Sequence, residues 1–302
     1  MKLEINIDES FLENQSSFRS LSFSRFLDSF RHTTSSIFQE TSKRYPSEVI
    51  DNKLIGGEFA LSCGIPIAKT LQLWESIDKI AFAPKTVVKP VSGSSSKGVF
   101  IVYSDDNIVY LNRKLKFSNV SDARNYAKKL IEDNVIRRDR WMSEELLINL
   151  DSIARDVKFY VFYGKVGLIL ETERTNGIKR CWFDQDLNYV DTGKYSNNLF
   201  KANREFLQEL KSVVESLSLE IPTPFIRIDL LISGDSYYLG EFTPVPANYD
   251  SFTKKWDSQL GELYADAMVR LCHDIGLGKK FLKFAELDKS WTSTLKNIRS
   301  RI

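Results

Sequence analysis

Two short polar segments near the carboxyl-terminal end of the chain carry residue types that bind a divalent cation. Arg227 and Asp229 are two residues apart, as are Glu241 and Thr243, so each pair shares one face of a predicted strand. A three-residue loop over 234–236 sets Asp229 opposite Glu241, whereas a two-residue loop sends these carboxylates to opposite faces. Facing carboxylates in apolar surroundings repel unless a cation separates them, and Mg²⁺ with phosphate oxygens is the usual solution. The alternative is an Arg–Asp ion pair beside an exposed Glu.

A lysine followed by a small polar loop forms a second candidate site. Lys89 lies within the apolar run TVVKPV (86–91), where an uncompensated charge is costly, so we expect it to meet an anion. The next run, SGSSSKG (92–98), has little side-chain obstruction, and such a loop can close over phosphates. Its spacing is not that of a P-loop. An edge-strand lysine beside an ordinary flexible hairpin is the alternative.

Two further groups of charged residues lie between these segments. The run EELL (144–147) fits a hinge whose backbone reads an adenine edge, and its alternative is the acidic end of a surface strand. Asp156 and Lys158 share a strand face with Tyr160, and a cross-strand ion pair is the alternative to a functional role for them.

Composition excludes several classes of protein. The 302 residues include 42 Lys+Arg and 40 Asp+Glu, and a net charge of +2 argues against a dedicated nucleic-acid binder. No apolar stretch approaches the roughly 18 residues of a membrane span, and we expect no signal peptide. The three cysteines form no CxxC pair, which favours a reduced, cytoplasmic compartment. With two histidines, any metal must be a hard cation on carboxylates.

The elements that must position these residues follow from periodicity and turn signals. One or two helices are expected within 1–45, and a helix over 51–64 is expected to be capped by Asp51 and closed by Gly64. Gly164-Lys165 is expected to form a tight turn. The remaining predicted helices are 121–133, 201–218 and 258–274, and the predicted strands are 86–91, 98–103, 156–163, 166–173, 225–232 and 237–243.

In this order the segments resemble the ATP-grasp superfamily, and most of all its teichuronopeptide-biosynthesis type. The likeness spans about 45–265 and rests on DNK (51–53), VKP (88–90), EELL, RID (227–229) and GEFTP (240–244). It implies an α+β fold with two lobes that clamp a nucleotide. The implied division is an N-terminal helical extension (1–50), a small lobe with a lid hairpin (51–143) and a large lobe with the metal site (144–302).

The resemblance also implies roles for individual residues. Arg227 and Lys158 are the implied catalytic residues, and the implied Mg²⁺ ligands are Asp229, Glu241 and Thr243. The implied ATP-binding residues are Lys53, Lys89, Ser92, Gly93, Ser94, Ser95, Ser96, Gly98, Glu144, Glu145, Leu146, Leu147 and Asp156.

The implied activity is ligation of a carboxylate to an amine through an acylphosphate, with ATP and Mg²⁺. By likeness, the product is an amino acid or amine attached to a uronic-acid-containing surface polysaccharide or its precursor. The alternatives are an ATP-grasp kinase acting on a sugar or small metabolite, or a catalytically degenerate nucleotide-binding protein. The chain differs from the family pattern at 246–248, where PAN replaces a Gly-containing turn on the substrate side. The oligomeric state stays open.

Overall fold

A computed structural model describes residues 21–93, 96–149, 152–174, 178–195 and 203–288. Its helices are α1 (Phe23–Thr41), α2 (Pro46–Ile50), α3 (Lys53–Ser62), α4 (Val120–Glu132), α5 (Arg204–Ser218), α6 (Lys254–Gly276) and α7 (Leu282–Asp288). Its strands are β1 (Thr70–Glu75), β2 (Thr86–Pro90), β3 (Phe100–Ser104), β4 (Asn107–Tyr110), β5 (Leu115–Phe117), β6 (Trp141–Glu145), β7 (Ile148–Asn149), β8 (Ser152–Ile153), β9 (Arg155–Phe162), β10 (Lys165–Glu173), β11 (Lys179–Asp184), β12 (Ile226–Ser233) and β13 (Ser236–Thr243).

The smaller lobe is built on a six-stranded antiparallel sheet. Its strand order is β1-β6-β2-β3-β4-β5, and helix α4 packs on one face. Alternating apolar residues of β2, β3 and β4 point toward this helix and form a separate core around Phe100 and Trp141, both fully buried. This rigid sheet carries Lys89 and Glu144 on its other, cleft-facing side.

The larger lobe is built on a five-stranded antiparallel sheet that is covered at both faces. Its order is β11-β10-β9-β12-β13, with β9 at the centre. One face buries the odd-numbered apolar residues of β9, such as Phe159, under α3 and α5. The opposite face buries Tyr160 and Phe162 under α1 and α6, and the uncovered end of this same face carries the polar residues of the site.

Helix α1 ties the N-terminal region to the large sheet. Ser22 caps the helix, since its side chain accepts a hydrogen bond from the Arg25 N–H. Phe23 is fully buried against Tyr160 and Phe225, and Phe26 stacks on Tyr264 of α6. The one or two helices expected within 1–45 are thus represented by α1, and residues 1–20 lie outside the described part of the chain.

Most predicted elements are present, with local differences at three boundaries. Asn52, not Asp51, caps α3, because its carboxamide oxygen accepts from the N–H groups of Leu54 and Ile55. The tight turn is Tyr163-Gly164, not Gly164-Lys165, because Phe162 pairs with Lys165 and both turn residues have positive φ. The helix predicted over 258–274 begins earlier, at Lys254.

Within the described residues, no helix has both the length and the apolar composition needed to span a bilayer.

Candidate active site

The polar end of the large sheet brings the two carboxyl-terminal segments onto one face. Arg227 forms a bidentate pair with Asp229, with Nε–Oδ1 and Nη2–Oδ2 distances of 2.6 Å each. The same Nη2 donates to Glu241 Oε1 at 3.0 Å and to Thr243 Oγ1 at 2.9 Å. Asp229 lies directly opposite Glu241, and Arg227 directly opposite Thr243. The four predicted residues therefore form one contiguous group.

The turn is the shorter of the two alternatives, the one expected to send the carboxylates to opposite faces. Ser233 pairs with Ser236, so the hairpin turn has two residues, and the register is corrected by a β-bulge at Gly240. The bulge lets Leu239 and Phe242 both enter the core, and it turns Glu241 toward Asp229. A Cβ at Gly240 would lie 3.2 Å from the Asp229 carbonyl oxygen, so glycine suits this close approach.

A second ion pair network extends the group across strand β9. Lys158 Nζ lies 2.5 Å from Asp229 Oδ2 and 2.9 Å from Asp156 Oδ1. Arg174 Nη2 donates to the other oxygen of Asp156 at 3.1 Å. Each aspartate is thereby held by two cations, which fixes the side chains before any ligand binds.

Burial and charge shift the pKa values of this group in opposite directions. Burial alone would raise the pKa of Asp156, but Lys158 and Arg174 outweigh it and lower the pKa to about 2. Burial and the nearby Asp229 raise the pKa of Glu241, despite the cations around it. Burial opposes the charge on Lys158, yet Asp156 and Asp229 raise its pKa, so the ammonium stays protonated at neutral pH.

The small lobe and α3 supply the facing wall. Lys89 Nζ lies 2.5 Å from Glu144 Oε1, so the anion expected at Lys89 is a neighbouring carboxylate in this structure. Lys53, the first residue of α3, donates from Nζ to the carbonyl oxygen of Gly93 at 2.6 Å. Burial and the charge of Lys89 lower the pKa of Lys53, although the Glu241 carboxylate opposes this. The N-terminus of α3 adds positive potential at the same wall.

The predicted hinge lies where β6 leaves the small sheet. The N–H groups of Glu145 and Leu146 donate to the carbonyl oxygens of Lys69 and Lys85, at 2.9 Å each. The Leu147 carbonyl accepts from Ala154 at 3.0 Å. Among the described residues, no backbone acceptor is seen for the Leu147 N–H.

The segment predicted to be a lid lies in the connection between β2 and β3. Gly98 has φ of +76°, and a Cβ there would lie 2.9 Å from Pro90 and Ile136. Glycine is required at this turn on both conformational and steric grounds. Ser94 and Ser95 lie outside the described residues.

One cleft of about 670 Å³ between the lobes joins these parts. Its lining includes most predicted site residues: Lys53, Lys89, Gly93, Ser96, Glu144, Glu145, Leu146, Leu147, Asp156, Lys158, Arg227, Asp229, Glu241 and Thr243. Ser92 instead lines an adjoining cavity of about 420 Å³, which shares Lys53, Gly93, Glu241 and Thr243 with the cleft. Gly98 lines neither cavity.

Sequence analysis missed a group of residues at the β11 side of the cleft. Arg174, Arg180, Tyr195 and Ala247 line it as well. Arg180 could have been found from the alternation of β11, since it shares a sheet face with Trp182. Tyr195 follows an irregular loop, so no periodic signal marks it.

The donor set of the site suits a hard cation. Asp229, Glu241 and the Thr243 hydroxyl present oxygen atoms on one face, and Glu241 Oε1 accepts from a single cationic partner, Arg227. The described residues contain no cluster of three or more His, Cys, Asp or Glu side chains that could hold a metal alone. Two carboxylates and a hydroxyl fit a Mg²⁺ ion that takes its other ligands from phosphate and water.

Two lobes that face each other across one charged cleft, each built on an antiparallel sheet, define an ATP-grasp protein. The family model of TupA-like ATP-grasp proteins matches residues 36–265, about three-quarters of the chain. The chain belongs to this TupA-like ATP-grasp family. No curated protein matches the sequence.

Solved structures of similar backbone include ligases of several kinds. The D-alanine–D-alanine ligase from Bacillus anthracis is 14% identical, with a TM-score of 0.49 over 79% of this chain and 75% of that one. The ATP-grasp ligase PsnB with its minimal precursor is 13% identical, with a TM-score of 0.41 over 82% and 73%. The L-amino acid ligase from Bacillus licheniformis is 12% identical, with a TM-score of 0.40 over 68% and 43%.

Proposed function

We propose that this protein is an ATP-dependent ligase that joins a carboxylate to an amine through an acylphosphate. The observation that carries the proposal is the cleft in which Lys53 and Lys89 of one wall face the Arg227–Asp229–Glu241 group of the other. Such a site supplies fixed positive charge and positioning, which are the demands of phosphoryl transfer to a carboxylate. In this proposal, residues 51–143 and 144–302 act as the two lobes, and 1–50 as an extension of the larger one.

In the proposed complex, ATP spans the cleft from hinge to metal site. The segment 144–147 receives the adenine, and its backbone N–H and C=O groups contact the adenine edge. Lys53 and Lys89 hold the phosphates, and the loop over 92–98 covers them. Lys89 then exchanges Glu144 for a phosphate, or is shared between both, which keeps its charge compensated.

The cation would be held by Asp229, Glu241 and Thr243. When bound, Mg²⁺ would neutralise phosphate charge and orient the phosphoryl group for transfer. Asp229 fixes the plane of the Arg227 guanidinium through two 2.6 Å bonds, so this side chain can neutralise charge where carboxylate and phosphate meet. Lys158 stays protonated between two aspartates, so it acts as a fixed charge rather than a proton donor.

The substrate side of the proposal rests on family likeness. The acid belongs to a uronic-acid-containing surface polysaccharide or its precursor, and an amino acid or amine attacks its acylphosphate. Such chemistry uses cytoplasmic ATP, and Cys63, Cys181 and Cys272 form no disulfide with one another, as is usual in a reducing compartment.

Hydroxylamine trapping tests this function directly. The protein is incubated with Mg·ATP, hydroxylamine and a panel of uronic and amino acids, and hydroxamate and ADP are measured. A ligase forms hydroxamate and ADP in equal amounts, since hydroxylamine attacks the acylphosphate. A kinase forms ADP and a stable phosphate ester without hydroxamate, which would contradict the proposal.

Paired variants assign the activity to the cleft. Glu241→Gln and Lys89→Met remove a proposed metal ligand and a proposed phosphate contact. Glu262→Gln and Lys129→Met make the same changes at exposed positions on α6 and α4. Loss of hydroxamate by at least about a hundredfold in the first pair alone is expected. Equal activity in all four variants would show that the chemistry lies elsewhere.

A further inference from the structure

The β11 side of the cleft carries cations that the proposed ATP and metal site does not use. Arg180 lies on β11, and the register across the sheet runs from Arg180 through Thr172 to Asp156. Arg174 reaches the same place from the end of β10, where it binds Asp156. Both arginines and Tyr195 line the cleft beside Arg227.

The charges in this region do not balance. Asp156, Asp229 and Glu241 are matched by three bonded cations, namely Lys158, Arg174 and Arg227. Arg180 and Lys194 are additional cations, and neither has a carboxylate within ion-pair distance among the described residues. Two uncompensated cations therefore remain at one side of an otherwise neutral group.

Of these two cations, Lys194 is the one whose burial costs more free energy. Its side chain is buried, and its Nζ donates to the carbonyl oxygen of Ala247 at 2.9 Å, directly behind the cleft wall. It also lies 4.8 Å from the centre of the Phe252 ring. Burial and the charge of Arg227 lower the pKa of Lys194 to about 8, although Asp250 opposes this. Burying an ammonium group with so few partners costs free energy, and a bound anion would offset this cost.

Arg180 is held in place without using up its hydrogen bonds. Its guanidinium lies 4.5 Å from the centre of the Tyr195 ring, which in turn stacks on Trp182 with an interplanar angle of 9°. A stacked guanidinium keeps its N–H groups free at the edge, and this arrangement favours bidentate binding of a carboxylate or phosphate. Tyr195 is 40% exposed, so the stack borders open cleft.

We propose that Arg174 and Arg180 bind a second anionic group of the substrate, beyond the carboxylate that reacts at Arg227. The substrate acid thus carries at least two negative groups, the second being a carboxylate or a phosphate. This inference rests on the proposed ligase function, because it names the class of acid that the same cleft takes.

Calorimetry with simple anions tests the subsite with or without nucleotide. Inorganic phosphate, glutarate and pentanoate are titrated into the protein alone and into its Mg·AMP-PNP complex. Pentanoate matches glutarate in length but lacks the second carboxylate. We expect phosphate and glutarate to bind at least tenfold more tightly than pentanoate, and the stronger of the two shows which anion the subsite prefers.

Arginine variants then locate the binding. Arg180→Gln should weaken phosphate and glutarate binding by at least tenfold and leave AMP-PNP affinity unchanged, while Arg180→Lys retains part of the affinity. Arg138→Gln, at an exposed position of the small lobe, should change neither. A fall of AMP-PNP affinity in Arg180→Gln would assign these cations to ATP and overturn the proposal. The proposal would also be overturned if wild type bound neither phosphate nor glutarate, or if Arg180→Gln bound both anions as tightly as wild type.

These measurements distinguish failure of the proposed ATP site from failure of the proposed anion subsite. Failure of AMP-PNP to bind the wild type speaks against the ATP site, whereas the anion titrations without nucleotide still report on the subsite. Binding of AMP-PNP without any preference for dianions leaves the ATP site intact and removes the subsite.

Discussion

Glu171 is a buried carboxylate, and its ionisation destabilises the folded state. It lies on β10 under the α5 face of the large sheet, is 1% exposed, and has one ion pair, to Arg155 at 2.8 Å. Among the described residues, its second oxygen and the Nε of Arg155 are buried without a partner. Burial therefore raises the pKa of Glu171 to about 7 from 4.5, even though Arg155 opposes the shift.

The direction of the pH effect follows from this shift. Between pH 4.5 and about 7 the folded state holds the Glu171 proton and the unfolded state has lost it, so stability falls as pH rises. At 1.36 kcal/mol per pKa unit, the shift corresponds to about 2.5 kcal/mol lost between pH 5 and pH 8. Glu171→Gln keeps the acceptor for Arg155 and cannot ionise, so it should lack this loss.

Urea unfolding of wild type and Glu171→Gln at several pH values between 5 and 8 measures the effect. The difference between the two free energies of unfolding is the quantity of interest, because other groups that titrate, such as Glu241, cancel in it. The variant should gain about 2.5 kcal/mol relative to wild type across this interval. A difference that stays constant with pH would refute the argument that burial dominates at Glu171.

Three further predictions concern the elements around the cleft. Gly98→Ala should destabilise the protein by about 1–3 kcal/mol more than Gly278→Ala. Both glycines have positive φ, but only at Gly98 would an added Cβ clash with neighbouring side chains. Thermal melts of the two variants measure the difference, and equal shifts in Tm would contradict it. Asn52→Ala should cost about 1 kcal/mol in urea unfolding through loss of the α3 cap, and no loss would show that the cap is dispensable. Asp156 is stabilising above pH 4, and its contribution is lost as pH falls through its folded pKa of about 2. Asp156→Asn should therefore cost about 2 kcal/mol near pH 7 and flatten the acid limb, whereas a parallel acid limb would contradict this.

The sequence was sufficient to predict the parts of the fold that depend on local patterns. Side chains alternate between the two faces of a strand, which predicted that Arg227 shares a face with Asp229 and Glu241 with Thr243. The structure confirms both pairs. Family motifs in the right order predicted the two-lobed arrangement. Both kinds of signal are periodic or short in range, so a single sequence displays them.

Features that depend on tertiary packing were beyond sequence reasoning. Loop length alone left the register of Asp229 and Glu241 open. A two-residue turn still brings them opposite each other, because a bulge at Gly240 lets both Leu239 and Phe242 pack in the core. The cap at Asn52 rather than Asp51 depends on where the first turn of α3 is held against its neighbours.

The β11 side of the site shows the same limit. Arg180 and Tyr195 are brought to the cleft by strand pairing and by stacking on Trp182, and neither relation appears in the order of residues. Lys89 pairs with Glu144, which lies on the neighbouring strand β6 but far along the chain. Contacts between distant segments require the three-dimensional structure.

Calorimetric titration of AMP-PNP with and without Mg²⁺ tests the central claim most directly. Wild type and Glu262→Gln should bind the nucleotide at least about tenfold more tightly with Mg²⁺, a gain of about 1.4 kcal/mol in binding free energy. Glu241→Gln should retain the metal-free affinity and lose the gain, since Asp229 and Thr243 alone complete the site poorly. Identical Mg²⁺ dependence in wild type and Glu241→Gln would contradict a metal-assisted ATP site at this end of the sheet.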